Sequence, residues 1–241
     1  MEFPASILVR PPEGIVARKF KTEASSYKGR EPTWMVVGFD ISMSSISGAA
    51  MMYDGLLDKI KGPATVNERW SRDTHYFDRL KSAARPEIFI HSLMSGLKGA
   101  VVETDQIYIA VEEPWPMGIV KKAESGWLKQ QAQIQGTFIG GLVRYGFSNI
   151  YEVNAQSWKK VVADELGVKV GLSKEFKWTV KKWAIDTYGL EDMPDLIQHG
   201  KLGLIPKPKS SRAKPVQPED IYDAMGLCAW MEKIYLEGVE E

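Results

Sequence analysis

Apolar and polar positions along the chain fall into two alternating rhythms. Trp34-Met-Val-Val-Gly-Phe-Asp40 and roughly 46–53 are short apolar runs joined by the Ser-rich turn Ile41-Ser-Met-Ser-Ser45. They predict a hairpin. Period-2 alternation puts Val36, Gly38 and Asp40 on one face of its first strand. Gly38 is expected to leave room there for something bulky, such as a hydrated metal or a phosphate. A poorly patterned stretch, 60–77, is expected to hold a third strand. From near Pro86, a stripe of Phe89, Leu93, Met94, Leu97, Ala100 and Val101 predicts a helix. The run Ile107-Tyr-Ile-Ala-Val-Glu112 reads as a buried strand, stopped by Pro114-Trp-Pro116. Over 124–146, Trp127, Gln131, Ile134, Phe138, Leu142 and Tyr145 recur at helical spacing. Gly136, Gly140 and Gly141 on that helix permit close approach of another backbone. A strand at 149–153, helices at 155–165 and 173–188, and a last helix at 218–237 with Pro218 in its first turn complete the pattern.

This order of elements predicts an α/β domain, a mixed five-stranded sheet flanked by helices, over residues 33–241. Residues 1–32 show no sustained period and are expected to be an irregular N-terminal arm. Residues 191–217 form a long Pro- and Gly-punctuated insertion, of the kind that is usually functional or mobile.

Composition narrows the class. With 44% apolar residues among 241, the chain can build a proper core. A formal net charge of zero excludes a generic polycation but leaves local patches open. The one cysteine, Cys228, lies in an apolar helical run and reads as a core thiol, which rules out a disulfide framework. No apolar run approaches the length of a membrane span and no signal segment opens the chain, so a soluble, cytoplasmic protein without membrane contact is expected.

Four carboxylates carry the chemical signal. Asp40 and Glu112 close apolar strands, where an unpaired charge normally needs a partner or a metal. Asp220 and Asp223 lie three apart on the last helix. Each alone has an ordinary reading: a strand end emerging into water, a first-turn acid favoured by the helix dipole, an exposed helical residue. Asp223, however, precedes the packed-looking run Ala224-Met-Gly-Leu-Cys-Ala-Trp230. Acids drawn from two strands and a helix suit divalent cations and a phosphodiester. His75, His91 and His199 form no zinc-like spacing.

Cations outnumber acids between Lys159 and Pro218. On a helical wheel, Lys174, Lys177, Lys181 and Trp178 fall on one side of helix 173–188, opposite Phe176, Val180, Trp183 and Ala184. Lys159, Lys160 and Lys169 lie just upstream. The connection from Leu196 to Pro218 carries Lys201, Lys207, Lys209, Arg212 and Lys214 without one acid. A solvated lysine face is the ordinary reading; a surface that holds DNA by its phosphates is the functional one. No base-reading module is visible.

Val37-Gly-Phe-Asp40-Ile-Ser-Met-Ser-Ser-Ile-Ser-Gly48, Ile109-Ala-Val-Glu112-Glu, Ile150-Tyr-Glu-Val-Asn-Ala-Gln-Ser-Trp-Lys159-Lys160 and Asp220-Ile-Tyr-Asp223-Ala-Met together resemble the RuvC family of Holliday-junction resolvases, in the RNase H-like superfamily, and its phage-type members most. The resemblance covers roughly 34–188 and 218–235. It implies an RNase H-like fold and a homodimer that cuts four-way DNA junctions with two Mg²⁺ ions (Mn²⁺ substituting), leaving 5′-phosphate and 3′-hydroxyl ends. Asp40, Glu112, Asp220 and Asp223 would be the metal ligands, Lys159 and Lys174 the junction-contacting lysines, and Trp115 the aromatic set against bases at the crossover. Either lysine could also stabilise charge on the scissile phosphate. Helix 124–146, with its small residues and apolar face, is the candidate dimer interface. Glu113, next to Glu112, is expected on the opposite face as a support or surface residue. The family's Pro-Gly-Ser after the first Asp is replaced by Ile41-Ser42-Met43, which bears on substrate preference. Three alternatives stay open: a broader flap or fork nuclease, a non-catalytic DNA-binding protein on the same fold, and an actin-like ATPase.

Overall fold

Eight residues of alternating core contact, Trp34–Ile41 (β3), form the middle of a mixed sheet. The structure, a computed structural model, describes residues 7–9, 19–21, 34–53, 59–71, 73–97, 101–114, 126–170, 174–188, 196–198, 204–206 and 219–239. Strand β3 pairs antiparallel with Ser45–Tyr53 (β4), which pairs antiparallel with Lys59–Arg69 (β5). On its other side β3 runs parallel to Ile107–Glu112 (β7), and β7 parallel to Asn149–Val153 (β8). These are the five strands the apolar pattern predicts. A sixth, Ile7–Val9 (β1), adds antiparallel to the β8 edge. Lys19–Lys21 (β2) pairs with Val101–Glu103 (β6) in a separate two-stranded ladder. The stretch read as an irregular arm thus contributes two strands, each only three residues long and held by a distant partner. Likewise, the 191–217 insertion contains an antiparallel pair, Leu196–Gln198 (β9) and Leu204–Pro206 (β10).

Alternation along β3 divides the core into two layers. Met35, Val37, Phe39 and Ile41 face one way, into a cluster with Phe89, Leu93, Phe138 and Leu142. That layer is covered by Tyr76–Ala83 (α1), Pro86–Leu97 (α2) and Gly126–Tyr145 (α3). Val36 and Ala110 face the other way, into a cluster with Trp158, Trp183, Met225 and Trp230. Ala155–Leu166 (α4), Lys174–Tyr188 (α5) and Glu219–Val239 (α6) cover it. Helix α4 starts where Asn154 Oδ1 accepts from the Gln156 amide at 2.9 Å and ends at Gly167, whose left-handed φ of 65° closes the last turn.

The apolar stripe of α3 is used inside the chain. Ile134, Phe138 and Leu142 are fully buried, and the Phe138 ring lies 4.8 Å from Phe39. That face is therefore not a spare surface for a second copy, which removes the sequence argument for α3 as a dimer interface. Of its glycines, Gly141 does meet a neighbour: a Cβ there would stand 2.9 Å from Pro86 Cγ. Gly136 and Gly140 face open space. No helix among the described residues is long and apolar enough to cross a membrane.

Candidate functional site

Parallel pairing sets the first two acids. Phe39 lies opposite Val111, so Asp40 and Glu112 occupy the next step at the C-terminal ends of neighbouring strands, on the face that carries α4, α5 and α6. Gly38 then determines how α6 arrives. A Cβ on Gly38 would collide with the carbonyl oxygen of Ala224 and stand 2.9 Å from Leu227 Cβ, so the helix rests backbone-first on the strand. The space expected beside Asp40 for a metal or phosphate is occupied by this helix. The close approach brings Asp223, one residue before Ala224, to the strand ends. Asp220, a turn earlier, reaches across to the hairpin, where Ser45 Oγ donates to its Oδ2 at 2.6 Å. That turn is itself fixed, because Arg79 Nη1 of α1 donates to the Met43 carbonyl at 2.6 Å.

A second glycine holds the other side of the site. At Gly226 a Cβ would run into the ring of Trp158 on α4. Trp158 is fully buried, and its Nε1 donates to Glu112 Oε2 at 2.9 Å. Glu112 is thus oriented by an indole wedged under α6. Neighbouring Glu113 points to the opposite face, as alternation requires, and accepts from Asn154 Nδ2 at 3.3 Å.

The four carboxylates share one electric field. Burial holds the Asp40 carboxyl well above the usual carboxylate range, and the charges of Glu112, Asp220 and Asp223 push it further, against Lys177. Glu112 is raised by burial, opposed by Lys159, the Trp158 N–H and Lys177. Asp223 is pushed up to about 7 by burial, with Glu112 and Asp220 adding to it against Lys177 and Lys159. Lys177 Nζ lies 3.9 Å from Asp223 Oδ2 on a half-exposed side chain. Buried carboxylates that raise one another in this way are short of positive charge. An all-oxygen, hard donor set fits Mg²⁺ or Mn²⁺ rather than a softer ion. Among the described residues, no three or more His, Cys, Asp or Glu side chains already close on one ligating point.

The cationic residues divide. Lys159 Nζ sits 5.1 Å from the Trp158 ring and acts on both Glu112 and Asp223. Lys160 follows it on α4, partly buried. On α5, Phe176, Val180, Trp183 and Ala184 are buried as the wheel predicts. Lys181 Nζ lies 5.5 Å from the Trp178 ring and 5.9 Å from Tyr222, and Trp178 is 61% exposed. Lys174 opens α5, with its side chain outside the described residues. Trp115, Lys207, Lys209, Arg212 and Lys214 also lie outside them. Sequence reasoning missed Ser45 and Trp158 as partners of the acids. It also placed Lys177 only on a DNA surface, whereas the fold brings it to Asp223.

No protein-family model matches the chain, and no curated protein sequence does. Solved structures do. T. thermophilus RuvC in complex with a Holliday junction substrate superposes with a TM-score of 0.54 at 14% identity, covering 85% of this chain and 96% of that one. A second Thermus thermophilus RuvC structure gives 0.51 at 14% identity with the same coverage. At that identity the likeness establishes the fold, and the mixed sheet flanked by helices is that of RuvC.

Proposed function

We propose that this chain, with the fold of RuvC, is a metal-dependent, structure-selective endodeoxyribonuclease of the phage RuvC type that resolves four-way DNA junctions. The observation that carries this reading is the set of carboxylates at Asp40, Glu112, Asp220 and Asp223, which reach one sheet face from two strands and a helix and act on one another there. The neighbour solved with a Holliday junction substrate supports the substrate class.

In this reading the four acids are the ligands of two Mg²⁺ ions, with Mn²⁺ able to replace them. Bound there, the ions would supply an activated water and stabilise the departing 3′ oxygen, so that cleavage leaves 5′-phosphate and 3′-hydroxyl ends. Ser45 and Trp158 hold Asp220 and Glu112 in place through their hydrogen bonds. Lys159 and Lys177 set positive charge beside the acids, where an incoming phosphate would meet it. Lys160, Lys174 and Lys181, with the basic connection around Lys207–Lys214, track the phosphate backbone, and Trp115 stacks at the crossover. Symmetric cutting of two strands calls for a homodimer acting on DNA in the cytoplasm.

Asp40→Asn and Asp223→Asn test the reading on synthetic junctions, forks, flaps and linear duplexes, with Mg²⁺ and then with EDTA. Both variants are expected to lose cleavage and keep junction binding, since removing a carboxylate also removes repulsion of phosphate. Cleavage at the wild-type rate in both, or loss of binding in both with folding intact, overturns the metal role. Preference for flaps or forks over four-way junctions would shift the substrate and leave the chemistry.

A further inference from the structure

Three of the four acids have a side chain that holds them. Trp158 donates to Glu112, Ser45 donates to Asp220, and Lys177 pairs with Asp223. Asp40 has no such donor among the described residues: burial and neighbouring charges act on it, with no hydrogen bond among them. Yet the sheet sets a hydroxyl directly opposite. Asp40 pairs with Ser47 of β4, and Ser47 with Asn67 of β5, so the three side chains form one row on one face. Glu68, the next residue along β5, turns the other way and accepts from Ser82 of α1 at 2.7 Å. Asn67 is thereby left on the face of α6 and the acids.

Ser47 is fully buried, and Asn67 Nδ2 donates to its Oγ at 2.5 Å. A hydroxyl has one hydrogen to give and lone pairs to receive with. Asn67 uses a lone pair, so the Ser47 hydrogen is left over, and no acceptor among the described residues takes it. A buried hydroxyl short of an acceptor thus stands across one strand pair from a carboxylate short of a donor, and each shortage costs free energy by itself. Opposite Cβ atoms in such a pair are about 4.5–5.5 Å apart, which lets the two side chains meet by rotation alone.

We propose that Ser47 is the positioning residue of Asp40, and that Asn67 acts through it by fixing the direction of its hydroxyl. The inference rests on the metal reading above, in which Asp40 is a ligand. A ligating carboxylate that also accepts a hydrogen bond keeps one orientation, so the ion need not order it. Ser47 would then do for Asp40 what Trp158 does for Glu112.

Mn²⁺ titrations of DNA-free protein, followed by the EPR signal of the free ion, test this without cleavage. Ser47→Ala is expected to weaken Mn²⁺ binding about 10–100-fold while its melting temperature in EDTA stays that of the wild type. Asn67→Ala should weaken binding in the same direction and by less. The double variant should bind no worse than Ser47→Ala, because Asn67 acts through Ser47. Unchanged affinity in Ser47→Ala, or losses that add in the double variant, overturns the inference and leaves the metal site standing. A fall in the EDTA melting temperature that tracks the lost affinity assigns Ser47 to packing and overturns it as well. A wild type that binds no Mn²⁺ overturns the metal reading and this inference with it. If Ser47→Ala does not fold, Asn67→Ala, at a partly buried position on the edge strand, decides: weaker Mn²⁺ binding supports the inference and unchanged binding overturns it.

Discussion

Asp223 is a carboxylate the fold holds against its own charge. It is buried, it faces Glu112 and Asp220, and its closest opposing charge is Lys177 at 3.9 Å, on a half-exposed side chain. Its folded value of about 7 lies above that of an unfolded Asp, so the protonated form stabilises the fold. That stability is fully present below pH about 4 and is lost as pH rises through about 7. In EDTA, the wild type is expected to lose more stability between pH 5 and 8 than Asp223→Asn. The asparagine variant should be the more stable at pH 8, by an amount on the order of a few kcal/mol. Parallel pH profiles for the two would remove the electrostatic account. Trp158→Phe tests the neighbouring acid. It keeps a ring under Gly226 but withdraws the donor from Glu112, and is expected to raise the Mg²⁺ half-saturation of cleavage roughly 10–100-fold. Asp40 and Glu112 were legible in the sequence because a charge ending an apolar strand violates the pattern around it. Ser45 and Trp158 were not, because their bonds to the acids span 175 and 46 positions and an ordinary serine and a core tryptophan leave no local trace.

At the scale of elements, the site is assembled by one helix docking on one strand. Gly38 and Gly226 are the places where α6 has no room for a side chain. A methyl at Gly38 meets the Ala224 backbone, which no rotamer change relieves. Gly38→Ala is expected to destabilise the protein by about 1–3 kcal/mol and to reduce cleavage even at temperatures where it stays folded, because α6 carries Asp220 and Asp223 away with it. Gly136→Ala, on an open part of α3, makes the contrast. It should raise the melting temperature through helix propensity, worth up to about 1 kcal/mol. Melting curves and cleavage rates of the two variants check both. A Gly38→Ala protein as stable and active as wild type would mean that the α6–β3 contact does not position the acids. The strands and helices with long, strong periods were legible at this scale. Helix α1 was not: only Ala83 of its eight residues is fully buried, while Phe77 is 63% exposed, so half a stripe is all the sequence shows. Strands of three residues, such as Lys19–Lys21 against Val101–Glu103, are too short for alternation to declare itself.

The whole molecule distributes its charge unevenly. Thirty-one cationic and thirty-one acidic residues cancel in sum, yet the sheet face bearing the four acids is covered by helices that carry Lys159, Lys160, Lys177 and Lys181. The connection leading into α6 adds Lys207, Lys209, Arg212 and Lys214. If this is a DNA surface, its affinity comes from releasing counterions, and each phosphate contact on duplex DNA contributes about 0.9 to the slope of log K against log salt. Replacing those four connection residues by Gln is expected to weaken junction binding at low salt and to flatten the slope by up to about 3.6. Trp178→Ala distinguishes charge from stacking. Its ring stands exposed beside Lys181, and losing it should weaken binding by about 1–3 kcal/mol if a base rests there. The slope should stay as it was, since no charge has been removed. Junction binding measured from about 50 to 200 mM salt reads both variants together. A quadruple variant with the wild-type slope would take the connection off the DNA path and leave the phosphates to the lysines of α4 and α5, whose own replacement should then carry the whole electrostatic loss.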